Sequence, residues 1–232
     1  MAKATLNLDK PFKIELDDTV DNTTKIPVIL MKDKSGSMAG KAIQEQADAV
    51  QTFIEALEDD DYARTSVELS IVAFNESVEV IHDFSAVDNI YIENNLVAEG
   101  LTYMGKAVNY GIDSLLTKIR EYKSKGILYR APLLVLISDG IPSDDITAAT
   151  ERNTDLISRG KLTFLGIGVG DNADMQELKR FNPNGNVVKS PTFEDLKELL
   201  VWVSYSLSAA SQAGPGEEVE NHVELDPKFK LF

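Results

Sequence analysis

From residue 25 to residue 208, apolar runs of strand length alternate with amphipathic stretches of helix length, and this alternation restricts the fold more than any other feature. "KIPVILMKD" (25–33) is a continuous apolar run ending in polar residues, the pattern of a strand buried on both faces. In "AGKAIQEQADAVQTFIEAL", Ile43, Ala47, Val50, Ile54 and Leu57 recur at steps of four and three, which lines them along one helical face. "SVELSIVAFN" (66–75) reads as a strand, and "ESVEVIHDF" (76–84) follows so closely that the two predict an antiparallel hairpin. Val108, Ile112, Leu115 and Ile119 make "LTYMGKAVNYGIDSLLTKIREY" a second amphipathic helix, and "APLLVLISDG" (131–140) is the most apolar strand. A helix near 145–159, the strand "KLTFLGIGVG" (161–170), a short helix near 173–181, a small strand at 187–189 and a helix near 193–208 complete the series.

Such alternation predicts an α/β fold: a mostly parallel sheet covered by helices on both faces, with one antiparallel strand at an edge. The expected organisation is an N-terminal extension (1–24), one domain over 25–210 and an acidic tail (211–232). Both ends carry short period-two alternation, Phe12, Ile14 and Leu16 near the start and Val223, Leu225, Phe229 and Leu231 near the finish. They read either as loose tails or as extra strands that pair with each other or with a partner's sheet.

Composition narrows function. The 23 Lys and Arg against 38 Asp and Glu leave a formal charge of −15, which disfavours nucleic acid and anionic lipid surfaces and suits divalent cations or basic partners. Without cysteine, disulfides, zinc–thiolate sites and cysteine nucleophiles are excluded together. The first residues lack a signal-peptide core, and no apolar run nears the roughly 20 residues that span a bilayer. A cytoplasmic protein without membrane insertion is the expectation.

The turn "MKDKSGSMAG" (31–40) raises the functional question, because Asp33, Ser35 and Ser37 alternate through it around Gly36. In an open α/β sheet, ligands bind beyond the carboxyl ends of strands where the strand order reverses. Asp33 ends the first strand and Asp139 ends the most apolar later one, while Thr102 sits in a loop bracketed by Gly100 and Gly105. If those strands are neighbours, Asp33, Ser35, Ser37, Thr102 and Asp139 form an all-oxygen set suited to a hard ion such as Mg²⁺, with a position left for water or a partner's carboxylate. The alternative is capping, since Ser37 stands where an ordinary helix N-cap would.

"DKSGSM" resembles the Asp-x-Ser-x-Ser start of the metal-ion-dependent adhesion site (MIDAS) of von Willebrand factor A domains. "GLTYMGKAV" is similar to that family's threonine-bearing loop, and "LVLISDG" to its aspartate-bearing strand end, in the family's order. Within the family, "IPVILMKDKSGSM", "SDGIPSDD" and "GIGVGDNADMQELKRF" look like segments of bacterial TerY-like, tellurium-resistance-associated proteins. The resemblance implies a doubly wound, Rossmann-like sheet with the first strand central, and Asp33, Ser35, Ser37, Thr102 and Asp139 as the five metal positions. It implies Mg²⁺, with Mn²⁺ or Ca²⁺ as alternatives, and metal-assisted recruitment of a protein carboxylate in a tellurite- or stress-resistance assembly, without turnover. Lys32 and Lys34 depart from the family's apolar or small residues beside the aspartate, although strand alternation points both away from the Asp33 direction.

Other features read more plainly. Asp144 and Asp145 suit the start of a helix, with outer-shell or partner contact, together with Lys34, as the sharper reading. "GIGVG" (166–170) lacks dinucleotide-binding spacing and predicts close packing at a strand end. No second acid stands two residues after Asp33, which argues against a phosphotransferase nucleophile. His82 and His222 show no Ser or Asp partner in the sequence, so a hydrolytic triad is not expected. Trp202 with Leu199 and Val203 reads as core. The competing functional reading is a metal-dependent hydrolase or phosphoryl-transfer enzyme at the same site. A scaffold without metal is a third, and Glu217, Glu218, Glu220 and Glu224 are candidates to block the open position from the tail.

Overall fold

The computed structural model describes residues 24–92, 97–139, 141–183, 185–212 and 225–232. Strand β1 (Ile26–Asp33) is buried at all eight positions, as its unbroken apolar run requires. Ile26, Val28 and Leu30 face one hydrophobic cluster, while Ile29 and Met31 face another. The flanking strands are β2 (Val67–Phe74), β3 (Val78–Ala86), β4 (Leu133–Ser138), β5 (Thr163–Val169), β6 (Val187–Ser190) and β7 (Lys230–Leu231). They form one sheet in the order β3-β2-β1-β4-β5-β6-β7.

Pairing is parallel from β2 through β6 and antiparallel between β2 and β3, which confirms the mostly parallel sheet with an antiparallel hairpin at its edge. Helices α1 (Lys41–Glu58) and α6 (Phe193–Gln212) cover one face through Val50, Phe53, Ile54, Leu199 and Leu207. On the other lie α3 (Met104–Ser124), α4 (Thr147–Ser158) and α5 (Met175–Phe181), led by Val108, Ile112, Leu115 and Phe181. Trp202, Leu199 and Val203 are core residues. A Cβ on Gly168 would stand 2.4 Å from Met175 Sδ, so the glycine run of β5 serves close packing.

Two elements go beyond the sequence expectation. Helix α2 (Asp61–Ser66) is too short to show a helical period. Asp60 starts it by accepting from Tyr62 N and Ala63 N at 3.0 and 2.8 Å, and Ser208 Oγ of α6 donates to the other Asp60 oxygen at 2.7 Å. At the far edge, two-residue β7 pairs antiparallel with β6, so the C-terminal alternation adds its strand to the chain's own sheet, a pairing the sequence reading did not include. Phe229 is buried beside it, and Lys228 Nζ is paired with Asp195 and Glu198 at 2.8 and 2.7 Å. The N-terminal alternation at Phe12, Ile14 and Leu16, the tail glutamates, Val223 and His222 lie outside the described residues.

The strand order reverses between β1 and β4, because β1 leads in the chain to β2 on one side and has β4 on the other. In register, Lys32 stands opposite Ile137, which sets Asp33 beside the end of β4. The switch point therefore falls where the sequence places its candidate oxygen ligands.

Candidate metal centre

Asp33 closes β1 and is fully buried. The turn after it folds back on its carboxylate: Ser35 N donates to Asp33 Oδ1 at 2.7 Å. Ser138 Oγ, from the last residue of β4, donates to Oδ2 at 2.6 Å. A short 3₁₀ turn, Gly36–Met38, then brings Ser37 round, with Ser35 Oγ and Ser37 Oγ 3.0 Å apart. Ser37 Oγ donates to Asp139 Oδ1 at 2.7 Å, across 102 positions of chain. Asp33, Ser35, Ser37 and Asp139 are thus joined by hydrogen bonds, with Asp33 and Ser35 buried, Asp139 half-buried and Ser37 exposed. Neither Ser35 nor Ser37 makes a side-chain cap to the helix that follows; α1 begins after Gly40 with no side-chain cap.

Thr102 makes no side-chain bond to these four residues; its loop is tied to the Asp33 turn through the backbone. Glu99 N donates to Lys34 O and Gly36 N to Gly100 O, each at 3.0 Å. Gly100 adopts φ +77°, and a Cβ there would meet Glu76 Oε2 at 2.9 Å, so the loop needs glycine at this point. Ser143 N donates to Thr102 O at 2.8 Å and Thr102 N to Ser143 Oγ at 3.3 Å, locking the loop to the segment beyond Asp139.

Two residues that sequence reasoning missed organise these loops. Ser138 fixes Asp33. Asn75 fixes the Thr102 loop: its Nδ2 donates to Glu99 O at 3.0 Å, its O accepts from Tyr103 N at 3.2 Å, and its Oδ1 accepts from Ser77 N at 2.9 Å. Period-two alternation alone would put Ser138 and Asp33 on like faces of their strands, but only the register makes them neighbours.

Burial raises the pKa of Asp33, against the opposing bonds from Ser138 and Ser35, and the nearby Asp139 charge adds to the rise. Burial likewise raises Asp139, with the Ser37 hydroxyl opposing. Two carboxylates that resist ionisation beside each other are short of positive charge, and the basic neighbours do not supply it. Lys34 Nζ is drawn to Glu79 of β3 at 2.5 Å. Lys32 is buried on the opposite side of β1, where desolvation pushes its pKa down to about 8. A hard divalent cation fits this donor set: two carboxylates balance its charge and the neutral hydroxyls complete an oxygen shell. Among the described residues no three of His, Cys, Asp and Glu gather as a metal cluster, so a cation here depends on the hydroxyls.

The remaining candidates stand beside the crevice in structural roles. Asp144 accepts from Gly105 N and Lys106 N at 3.1 and 2.8 Å and so caps α3 from across a loop. Asp145 accepts from Thr147 N at 2.9 Å at the start of α4, and this bond holds its pKa below the ordinary carboxylate value. The sequence expectation for histidine needs one correction: His82 Nε2 does meet a serine, Ser85 Oγ, at 2.7 Å, because a bulged edge strand brings the two together. That pair lies on β3, apart from the crevice oxygens.

Residues 28–201 match the von Willebrand factor type A domain family, and the chain belongs to that family. It is 23% identical over 175 residues to the inter-alpha-trypsin inhibitor heavy chain H2 of Mus musculus, covering 70% of this chain and 17% of that protein. The chain therefore spans about a sixth of the length of that relative. The pilus adhesin SpaC of Lactobacillus rhamnosus GG in its open conformation superposes with a TM-score of 0.65 at 12% identity, over 82% of this chain and 31% of its own. Proximal thread matrix protein 1 from the mussel byssus, solved with zinc in its MIDAS motif, superposes with a TM-score of 0.54 at 17% identity, over 80% of this chain and 48% of its own. Among the described residues no helix is long and apolar enough to cross a membrane.

Proposed function

We propose that this chain is a non-enzymatic interaction module that holds a divalent cation at Asp33, Ser35, Ser37, Thr102 and Asp139 and recruits a protein through that partner's Asp or Glu carboxylate. The observation that carries the reading is the hydrogen-bonded path from Asp33 through Ser35 and Ser37 to Asp139, which gathers oxygens from two distant strand ends into one crevice. Mg²⁺ suits the donors best, with Mn²⁺ or Ca²⁺ as alternatives. When bound, the ion would supply a Lewis-acidic position for an incoming carboxylate. The chain's own residues supply the rest: Ser138 and Ser35 orient Asp33, and exposed Ser37 with half-buried Asp139 form the side open to solvent.

Binding is favoured over turnover because Lys34, the cation an enzymatic use would call on, is engaged by Glu79. A cytoplasmic role in a tellurite- or stress-resistance assembly is the finer part of the proposal, supported by the TerY-like segments alone. Calorimetric titration with Mg²⁺, Mn²⁺ and Ca²⁺ tests the core of it. One binding event that disappears in Asp33→Ala is expected; no binding of any of the three would overturn it. A Mg²⁺-dependent phosphatase activity abolished by Asp33→Ala would overturn the non-enzymatic part.

A further inference from the structure

A mainly apolar groove of about 370 Å³ lies between α6 and the C-terminal segment that leads to β7. Thr52 of α1, Val201, Trp202 and Tyr205 of α6, and Leu225 and Phe229 of that segment line it. Its wall is fixed: Lys228 is paired with Asp195 and Glu198, Phe229 is buried, and β7 is bonded to β6. Tyr205, at one end, is 47% exposed. The α6 residues of the lining run from Lys197 to Tyr205, about 12 Å along the helix axis. The rim mixes Lys197 and Lys228 with Glu198 and Asp226, so apolar contact rather than charge selects an occupant.

One segment of the chain matches this groove in chemistry, length and origin. Phe12, Ile14 and Leu16 alternate in "PFKIEL", so an extended backbone puts all three on one face, spread over about 13 Å. Residues 213–224, which lead into Leu225, hold four Glu and no Phe, Leu or Ile. The described chain begins at Thr24. Beside it, Lys25 Nζ donates to Thr65 O of α2 at 2.8 Å, and α2 is clasped to α6 by the 2.7 Å bond from Ser208 to Asp60. Ser208 lies one turn of α6 beyond Tyr205. The eight residues from Leu16 to Thr24 reach up to about 26 Å, nearly three times the length of α2, which is about 9 Å.

We propose that the N-terminal segment docks in this groove of its own chain, with Phe12, Ile14 and Leu16 set against Val201, Trp202, Tyr205 and Phe229. The extension then covers aromatic surface of α6, and the two ends of the chain meet there. This docking is independent of the cation site. The composition supplies its own probes, because Trp202 is the sole tryptophan and the chain has no cysteine. A nitroxide attached to Lys13→Cys in the full chain is therefore unique, and it quenches tryptophan emission at close range only. The reference is the same variant carrying the diamagnetic analogue of the label.

The expected result is loss of most Trp202 emission in the nitroxide-labelled chain, unchanged on dilution of the protein. Adding Phe12→Ser with Ile14→Ser to the labelled chain should lower the docked-to-undocked ratio by at least about a hundredfold and restore the emission. Both substitutions lie outside the sheet and its helices, so the fold is not at stake. Emission equal to the diamagnetic reference would overturn the proposal, as would quenching that persists in the Phe12→Ser, Ile14→Ser chain. Quenching that disappears on dilution would assign the groove to a second copy of the chain and would equally overturn it.

Discussion

Ser138 Oγ donates to Asp33 Oδ2 at 2.6 Å, and both residues are completely buried at the ends of adjacent strands. The bond ties the two halves of the crevice together at its base, because Ser138 is followed immediately by Asp139. Removing the hydroxyl leaves a buried carboxylate short of a donor, so Ser138→Ala should cost about 1–3 kcal/mol in urea denaturation. Groups that orient a metal ligand typically carry about 10- to 100-fold in affinity, and calorimetric Mg²⁺ affinity should fall by that much in the same variant.

The raised pKa values of Asp33 and Asp139 give the proposed site a pH signature. A carboxyl whose folded pKa lies above its unfolded one stabilises the fold fully below the unfolded value, and that contribution is lost as pH rises through the folded value. Metal-free protein should therefore lose this contribution on going from the ordinary carboxylate range toward neutrality. Mg²⁺ acts in the opposite direction, because it binds the ionised pair. Its stabilisation should be absent near about pH 4 and grow with pH, reaching about 2.7 kcal/mol at a hundredfold excess over Kd. Thermal melts with and without Mg²⁺ across that range read the difference; a Mg²⁺ shift independent of pH would contradict the assignment.

Lys32 is 1% exposed on the helix α1 side of the sheet, and burial lowers its pKa to about 8. At neutral pH the fold carries a charged amine that it disfavours. The penalty is present below about pH 8 and is relieved as pH rises toward the ordinary lysine value of 10.5. Lys32→Met keeps the length of the side chain without the charge and should stabilise the protein at pH 7 by roughly 2–3 kcal/mol, a gain that shrinks above pH 9. Denaturant midpoints at the two pH values check it.

Gly105 lies in the first turn of α3 where a Cβ would sit 2.8 Å from Asp145 O and 3.0 Å from Asp144 Oδ2. The first obstacle is backbone, so the loop must move rather than a side chain. Gly105→Ala should displace the Asp144 cap and the Ser143–Thr102 clasp together, with a stability loss of about 1–3 kcal/mol and weaker Mg²⁺ binding. An unchanged melting temperature with unchanged affinity would show that the loop yields without consequence.

Strand β1, strand β4 and helices α1 and α3 were legible because burial on both faces or on one stripe writes itself into apolar periodicity. Their alternation also carried the parallel sheet, and the switch point followed once Asp33 and Asp139 ended neighbouring strands. Helix α2 was hidden because six residues hold too little of a helical period, and its Asp60 cap lies within a run of aspartates that reads as a polar loop. The alternation at Phe229 and Leu231 allowed a strand, but the partner of β7 is a strand about forty positions earlier, and that pairing leaves no local signal. Ser138 and Asn75 escaped notice for a related reason. Their importance comes from the strand register and from a loop crossing, and neither is encoded in the spacing of the residues themselves.

Diffraction from crystals grown in Mn²⁺, recorded for its anomalous signal, locates the cation itself. One strong peak is expected between Asp33, Ser35, Ser37, Thr102 and Asp139, with direct oxygen contacts of about 2.1 Å. A peak elsewhere, or no peak among those five residues with the crevice open and ordered, would contradict it.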